Sequence, residues 1–254
     1  MALALCVCLP AATALAAPTA AAPPAVSTAT ATQAASIEAG FAPERLGAAT
    51  TVSLGFQIAP GEAPSGLAAM QLAYPRDLGL ATSGLGVAPC QPAALEDFGI
   101  HACPADSKMG SGTAEVEIPL GPSVVTESVA LTLFAGASPD GYLHVLVYAV
   151  GARPVEAQVV LSGVLLPGRL SVTVPPIPSL PQAPDVILTR MRLTLGGRLT
   201  YYERVHGRSV AYHPPGVGLP DSCPRGGFPF AATFAFIDGS RALASTAVPC
   251  PRHH

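Results

Sequence analysis

Residues 228–248 read FPFAATFAFIDGSRALASTAV. Phe228, Phe230, Phe234 and Phe236 recur with a period of two, so a strand puts all four on one face, and Ala232 leaves room between them. The chain has 8 Phe, so half of them stand on this one face, which marks the wall of a core. Asp238-Gly239 then turns the chain into Ala242–Val248, and the two segments read as a hairpin.

The same period recurs upstream. In Ala48–Ile58, Val52, Leu54 and Phe56 oppose Thr51, Ser53 and Gln57, and Gly66–Tyr74 is expected to pair with this strand. Gly112–Ile118 alternates Ala114, Val116 and Ile118 with Glu115 and Glu117. Val124–Ala135 and Tyr142–Val150 flank the turn-forming SPDG of residues 138–141. In the second arm both faces are apolar, so it is expected to be a central strand covered on both sides. Val155–Leu166 and Arg169–Val174 continue a meander through Pro167-Gly168. Residues 175–184, PPIPSLPQAP, cannot lie inside a sheet and read as an extended, polyproline-like crossover on the surface. Val186–Leu195 turns Ile187, Met191, Leu193 and Leu195 inward, and Leu199–Val205 follows. About eleven strands with Pro/Gly turns and one short helical turn at Pro92–Phe98 predict an all-β fold. The expected form is an antiparallel β-sandwich, Ig-like or jelly-roll-like.

The composition limits function. Of 254 residues, 50% are hydrophobic and 11% charged, and the net charge is −3; about 25% charged is usual for a globular chain. Lys108 is the only lysine, Asn and Trp are absent, and no basic cluster exists. Nucleic acid is therefore an unsuitable partner, since phosphate binding needs converging cations. No charge occurs before Glu38. Leu3–Leu15 reads as the apolar region of a signal peptide, with cleavage after Ala16; the missing basic region points to a translation start upstream of Met1. The domain reading is a signal peptide over 1–16, an Ala/Pro/Thr-rich flexible linker over 17–45, and a β-sandwich over 46–254 whose two related halves meet near 167–185. Membrane contact is expected only through the N-terminal segment before cleavage, and the protein is expected to be secreted or associated with the cell envelope.

Cys6 and Cys8 leave with the signal. Cys90, Cys103, Cys223 and Cys250 remain, and the local pairings Cys90–Cys103 and Cys223–Cys250 are favoured over zinc, because C-x-x-C is absent and only His101 lies nearby. The first bridge staples Leu78–Gly112 around the helical turn. Chain entropy gives a loop of that size about 3 kcal/mol. A partner would touch this excursion at its tip, Glu96–His101.

The motifs of nucleophilic, metal and nucleotide chemistry are absent: no G-x-S-x-G, H-E-x-x-H, Walker loop or calcium loop. Glu115 and Glu117 share a strand face, an arrangement open to acid/base work; the simpler reading is a solvated face. His144 reads as a hydrogen-bonded packing residue. The richest polar and aromatic passage is 199–213, LTYYERVHGRSVAYH. Its Tyr201, Tyr202, Arg204, His206, Arg208, Tyr212 and His213 suit recognition of sugars or acidic groups, against a plain hairpin around His206-Gly207 with a polar outer face. No catalytic residue, metal or cofactor is assigned.

The passages CPADSKMGSGTAEVEIP and GVGLPDSCPRGGFPFAATFAFIDG resemble a group of secreted β-rich proteins of high-GC actinobacteria. The similarity covers most of the chain after residue 45. Its most specific element is C-P-x-x-S-x-x-G-x-G, here Cys103, Pro104, Ser107, Gly110 and Gly112. The resemblance implies export and an all-β fold and carries over no catalytic residue. The function expected is that of a non-catalytic exported module, structural or binding an extracellular or cell-surface partner. The alternatives are a secreted hydrolase with a dispersed acid/base site, and a subunit of a surface assembly joined through strand edges.

Overall fold

A computed structural model describes residues 33–42, 44–59, 61, 64–79, 88–152, 156–179, 184–196, 201–212 and 217–251. The signal-peptide reading, the linker up to residue 32, and His213 lie outside the described residues. The strands are β1 (Ala34–Ala42), β2 (Ala49–Ala59), β3 (Leu67–Ala73), β4 (Lys108–Leu120), β5 (Ser123–Gly136), β6 (Leu143–Gly151), β7 (Ala157–Leu166), β8 (Arg169–Thr173) and β9 (Ile187–Leu195). They continue as β10 (Tyr201–Val205), β11 (Arg208–Tyr212), β12 (Val217–Gly218), β13 (Phe228–Phe236) and β14 (Arg241–Val248), with one short helix, α1 (Pro92–Phe98).

The protein is all-β. Twelve strands form one antiparallel sheet in the order β1-β2-β9-β4-β5-β6-β7-β8-β3-β13-β14, with β12 added to β2. The end strands β1 and β14 run beside each other, but no ladder joins them among the described residues, so the sheet is nearly closed. β10 and β11 form a separate two-stranded ribbon.

Aromatic rings fill the inside of this seam. Phe41 of β1 meets Phe228 at 5.3 Å, ring edge to face, and Phe230 at 6.1 Å. Phe56 of β2 meets Phe234 at 5.0 Å. Phe228, Phe230, Ala232, Phe234 and Phe236 are all buried, as their alternation requires. Strands from opposite ends of the sheet thus share one core, although no ladder joins them among the described residues.

Three expectations are corrected. Ala34–Ala42, read as the end of the linker, is strand β1; Ile37 and Phe41 point into the core while Ala and Gly between them weaken the pattern. Strand β3 does not pair with β2. It lies between β8 and β13, because both edges of β2 are taken by β1 and β9; alternation fixes a strand's face but not its neighbour. Residues 175–184 do not run as one extended crossover: among the described residues 177–179 lie back against 184–186, with Val186 donating to the Ile177 carbonyl at 2.8 Å and Ser179 to that of Pro184 at 3.2 Å.

Other expectations hold. The β5–β6, β7–β8 and β13–β14 hairpins form as read. Cys90–Cys103 and Cys223–Cys250 are bridged, with Cα separations of 5.0 and 5.8 Å; two disulfides fit an oxidising, extracellular setting. β6 is covered on both sides. Its outward Leu146 and Tyr148 join Phe134, Leu95 of α1 and the Cys90–Cys103 bridge in a second buried cluster.

The structure also gives C-P-x-x-S-x-x-G-x-G a physical basis. Ser107 is fully buried, and its hydroxyl donates to the Pro104 carbonyl at 2.6 Å, closing the turn after the disulfide. A Cβ at Gly110 or Gly112 would collide with the Thr194 or Arg192 carbonyl of β9. Both glycines therefore allow β4 to lie against β9.

Phe234→Ala should destabilise the protein by about 3–5 kcal/mol, read as a lowered urea midpoint, whereas Leu243→Ala, at a position 76% exposed on β14, should stay within about 0.5 kcal/mol. Equal effects would contradict the seam as the centre of the core.

Candidate functional site

The inward side chains change size along the sheet. On β6 they run Leu143, Val145, Val147, Ala149, Gly151. The neighbouring strand β7 runs antiparallel, so Gly151 faces Ala157, Ala149 faces Val159 and Val147 faces Leu161. Ala149 and Gly151 of β6 and Ala157 of β7 therefore gather at one end, while Gly163 of β7 lies beside Val145 further along. Small side chains there leave space that the aromatic seam does not fill.

Two cavities result. One, of about 130 Å³, lies at the small-residue end between Ala114, Val129, Ala149, Ala157, Leu188 and Val174. The other, of about 110 Å³, lies between Phe56, Met70, Leu133, Val145, Leu170 and Phe230. Leu67, Val147, Leu161, Val174, Leu188 and Met191 line both, so the two spaces are adjacent and share these wall residues. No Lys, Arg or His lines either one among the described residues.

The described part of the proline segment borders the first cavity, where Pro175, Ile177, Pro178, Asp185 and Val186 line it. Ser179 secures this strap: its buried hydroxyl lies 3.0 Å from the Pro119 carbonyl at the end of β4 and 2.8 Å from that of Pro184. Ile237, 44% exposed, completes the rim. Two carboxyl side chains stand at this end, the buried Glu127 and the half-buried Asp185.

Tyr74 lines the second cavity. Its hydroxyl donates to the Leu166 carbonyl at 2.6 Å. Burial raises its pKa above the ordinary 10.0, because a phenolate loses hydration there. The other shifted groups lie in exposed turns. Asp140 is lowered chiefly by the Tyr142 backbone amide, and then by His144, 3.0 Å away. Asp238 is lowered by the Ser240 hydroxyl and amide. These three groups occupy separate places.

The polar passage expected to bind ligand forms the β10–β11 ribbon. His206 and Gly207 make its turn, with φ of 50° and 78°, the two positive values that a two-residue hairpin loop needs. Tyr202 is 73% exposed and Arg208 is exposed. Their register partners, Ala211 and Val205, place them on opposite faces. Tyr201 opposes Tyr212, and Arg204 opposes Ser209, in the backbone register. Glu115 bonds Arg190 of β9 at 3.2 Å, half exposed; its face is the solvated one. At the tip of the stapled excursion Phe98 and Ile100 are 75% and 43% exposed. No group of three or more potential metal ligands occurs among the described residues, and none of their helices is long and apolar enough to cross a membrane.

The cavities were not among the sites expected from sequence. The signal was the shrinking inward series on β6, which becomes meaningful only once β7 is known to bring Ala157 beside Gly151. No family model matches the chain, and neither a curated protein nor a solved structure is similar to it.

The raised Tyr74 value sets an alkaline limit. Its contribution to stability is complete below pH 10, the unfolded value, and is lost as pH rises through the higher folded value, since the unfolded chain releases its proton first. Tyr74→Phe should flatten the alkaline limb of a stability profile measured by urea unfolding from about pH 8 to 11. An unchanged limb would contradict the burial of this phenol.

Proposed function

We propose that the protein is a non-catalytic, exported binding module that holds a small apolar molecule inside its sheet, at the cell envelope or outside it. The two adjacent apolar cavities carry this reading. A tightly packed structural module would fill such space, and empty volume costs stability. A dry cavity of about 150 Å³ lined by aliphatic side chains is large enough to accept benzene, and the space here is comparable. We also propose that the nearly closed sheet is flattened, so that its walls face each other as the layers of a sandwich with the cavities in the gap.

The hydrolase alternative needs an acid and a base meeting in a concave site. The separation of Tyr74, Asp140 and Asp238 supports the binding reading over it. Assembly through strand edges draws less support, because β1 and β14 lie against each other. Export is supported by the two disulfides.

Benzene at about 100 times its Kd should stabilise the protein by about 2.7 kcal/mol, seen as a rise in Tm of several degrees. Ala149→Phe, which fills the first cavity, should reduce that rise while leaving the far-ultraviolet circular dichroism unchanged. A parent protein that shows no shift overturns the reading, and turnover of ester or glycoside substrates would favour the hydrolase.

A further inference from the structure

We infer that the β10–β11 ribbon is a dimerisation arm: two copies of this chain pair edge to edge through β11, antiparallel and centred on Val210, to form one four-stranded sheet. This goes beyond the cavity reading and does not rest on it.

The ribbon stands out from the core. Every side chain described on it is exposed: Tyr202 by 73%, Val205 by 42% and Val210 by 46%, together with His206, Arg208, Ser209 and Ala211. It lies in the chain between Gly196 and Val217, and a Cβ on Gly196 would come within 3.0 Å of the Val217 amide nitrogen. The excursion therefore begins and ends at one place on the main sheet. A two-stranded hairpin alone is marginal in water, and a third strand or more is needed for independent stability. Both ribbon strands are edges, whereas the end strands of the main sheet lie against each other. An edge presents N–H and C=O groups that another strand can take.

The order of residues along each edge selects the partner and the strand. In a two-fold pairing, residue i of one copy opposes residue j of the other, and j opposes i. Centred on Val210, β11 sets Val210 against Val210, Ser209 against Ala211, and Arg208 against Tyr212. All five residues are then matched, and its one charged residue meets an aromatic residue instead of its own kind. The same overlap along β10 is centred on Glu203 and sets carboxylate against carboxylate, which is destabilising. Backbone direction agrees. The two-residue turn makes Val205 and Arg208 the closing hydrogen-bonded pair, so the ladder's alternation points the N–H and C=O groups of Ser209 and Ala211 outward. These are the groups that a Val210-centred pairing joins. The outer β10 edges, which would oppose Glu203 to Glu203, stop the assembly at two chains.

The test is sedimentation equilibrium of the disulfide-intact protein, joined to a cysteine cross-link at the centre. The mass should rise with concentration from one chain to two, reaching two only at the high concentrations that an interface of small area needs. Directly opposed residues bring their Cα atoms to about 4.5–5.5 Å, a span that a disulfide bridges, so Val210→Cys should give a covalent dimer on mild oxidation at least about ten-fold faster than Val205→Cys. Val205 is similarly exposed but lies on β10. Ala211→Pro removes an outward N–H from each copy and should weaken dimerisation by about ten-fold or more. Arg204→Pro, on the outer edge of β10, should leave it unchanged. The parent's mass and the two cysteine rates need neither proline variant to keep its ribbon. A parent that stays one chain at every concentration overturns the proposal, as do equal cross-linking rates at 210 and 205. Weakening by Arg204→Pro and not by Ala211→Pro overturns the assignment to β11. None of these outcomes bears on the binding of benzene by the cavities.

Discussion

The aromatic contact across the seam is the constraint on which the rest depends. A sheet of this length has two edge strands, and unpaired edges invite association with other chains. Here the edges are brought together by side chains, with Phe41 and Phe56 from the first two strands set against Phe228, Phe230 and Phe234 of the thirteenth. Such rings bury large areas and gain from edge-to-face contact. The cost of joining segments nearly the whole chain apart grows only slowly with their separation, so a compact aromatic cluster suffices to offset it. Once the seam is set, every inward position on the other strands faces one enclosed space.

That space is filled unevenly. The aromatic volume sits at the seam, and the opposite wall, built from β4 to β8, carries Val, Leu, Ala and Gly. The inward series of β6 falls from Leu143 to Gly151, and β7 falls from Leu161 through Val159 to Ala157 at the same end. Meanwhile the outward face of that wall is covered by α1 and the Cys90–Cys103 bridge, with Leu95 wholly buried. The wall is therefore supported from outside and left loosely filled from inside. Collapse onto the void is resisted by the second cluster behind it. This explains why one loop of the protein is both stapled and helical: it buttresses the strands that border the cavity.

Much of the fold was legible in the sequence, because period-two alternation is a local property. Phe228–Phe236, the hairpins through Ser138–Gly141 and Asp238-Gly239, and both disulfide pairs could be read from neighbouring residues. What could not be read was pairing between distant strands. Gly66–Tyr74 has the right alternation, but nothing in its residues says that it lies beside β8 and β13. Ala34–Ala42 escaped notice because Ala and Gly dilute Ile37 and Phe41. The proline run misled for a different reason. Proline excludes a sheet interior, but it does not forbid a segment from folding back, and Ser179 supplies the hydroxyl that holds the fold-back against β4. The cavities were the least legible feature, since a void is set by what several distant strands leave out.

The placement of covalent and non-covalent fastenings then gives the molecule a direction. Disulfides act chiefly by restricting the unfolded chain, and both are at the end where β13 begins and β5 finishes. The other end relies on the strap, whose prolines limit the backbone entropy lost on closing and whose attachments are hydrogen bonds worth about 0.5–1.5 kcal/mol each. Local opening is governed by the weakest set of contacts around a region. The described fastenings are therefore covalent at one end of the sheet and hydrogen-bonded at the other, with the aromatic seam holding strands from both ends of the sheet order in one core.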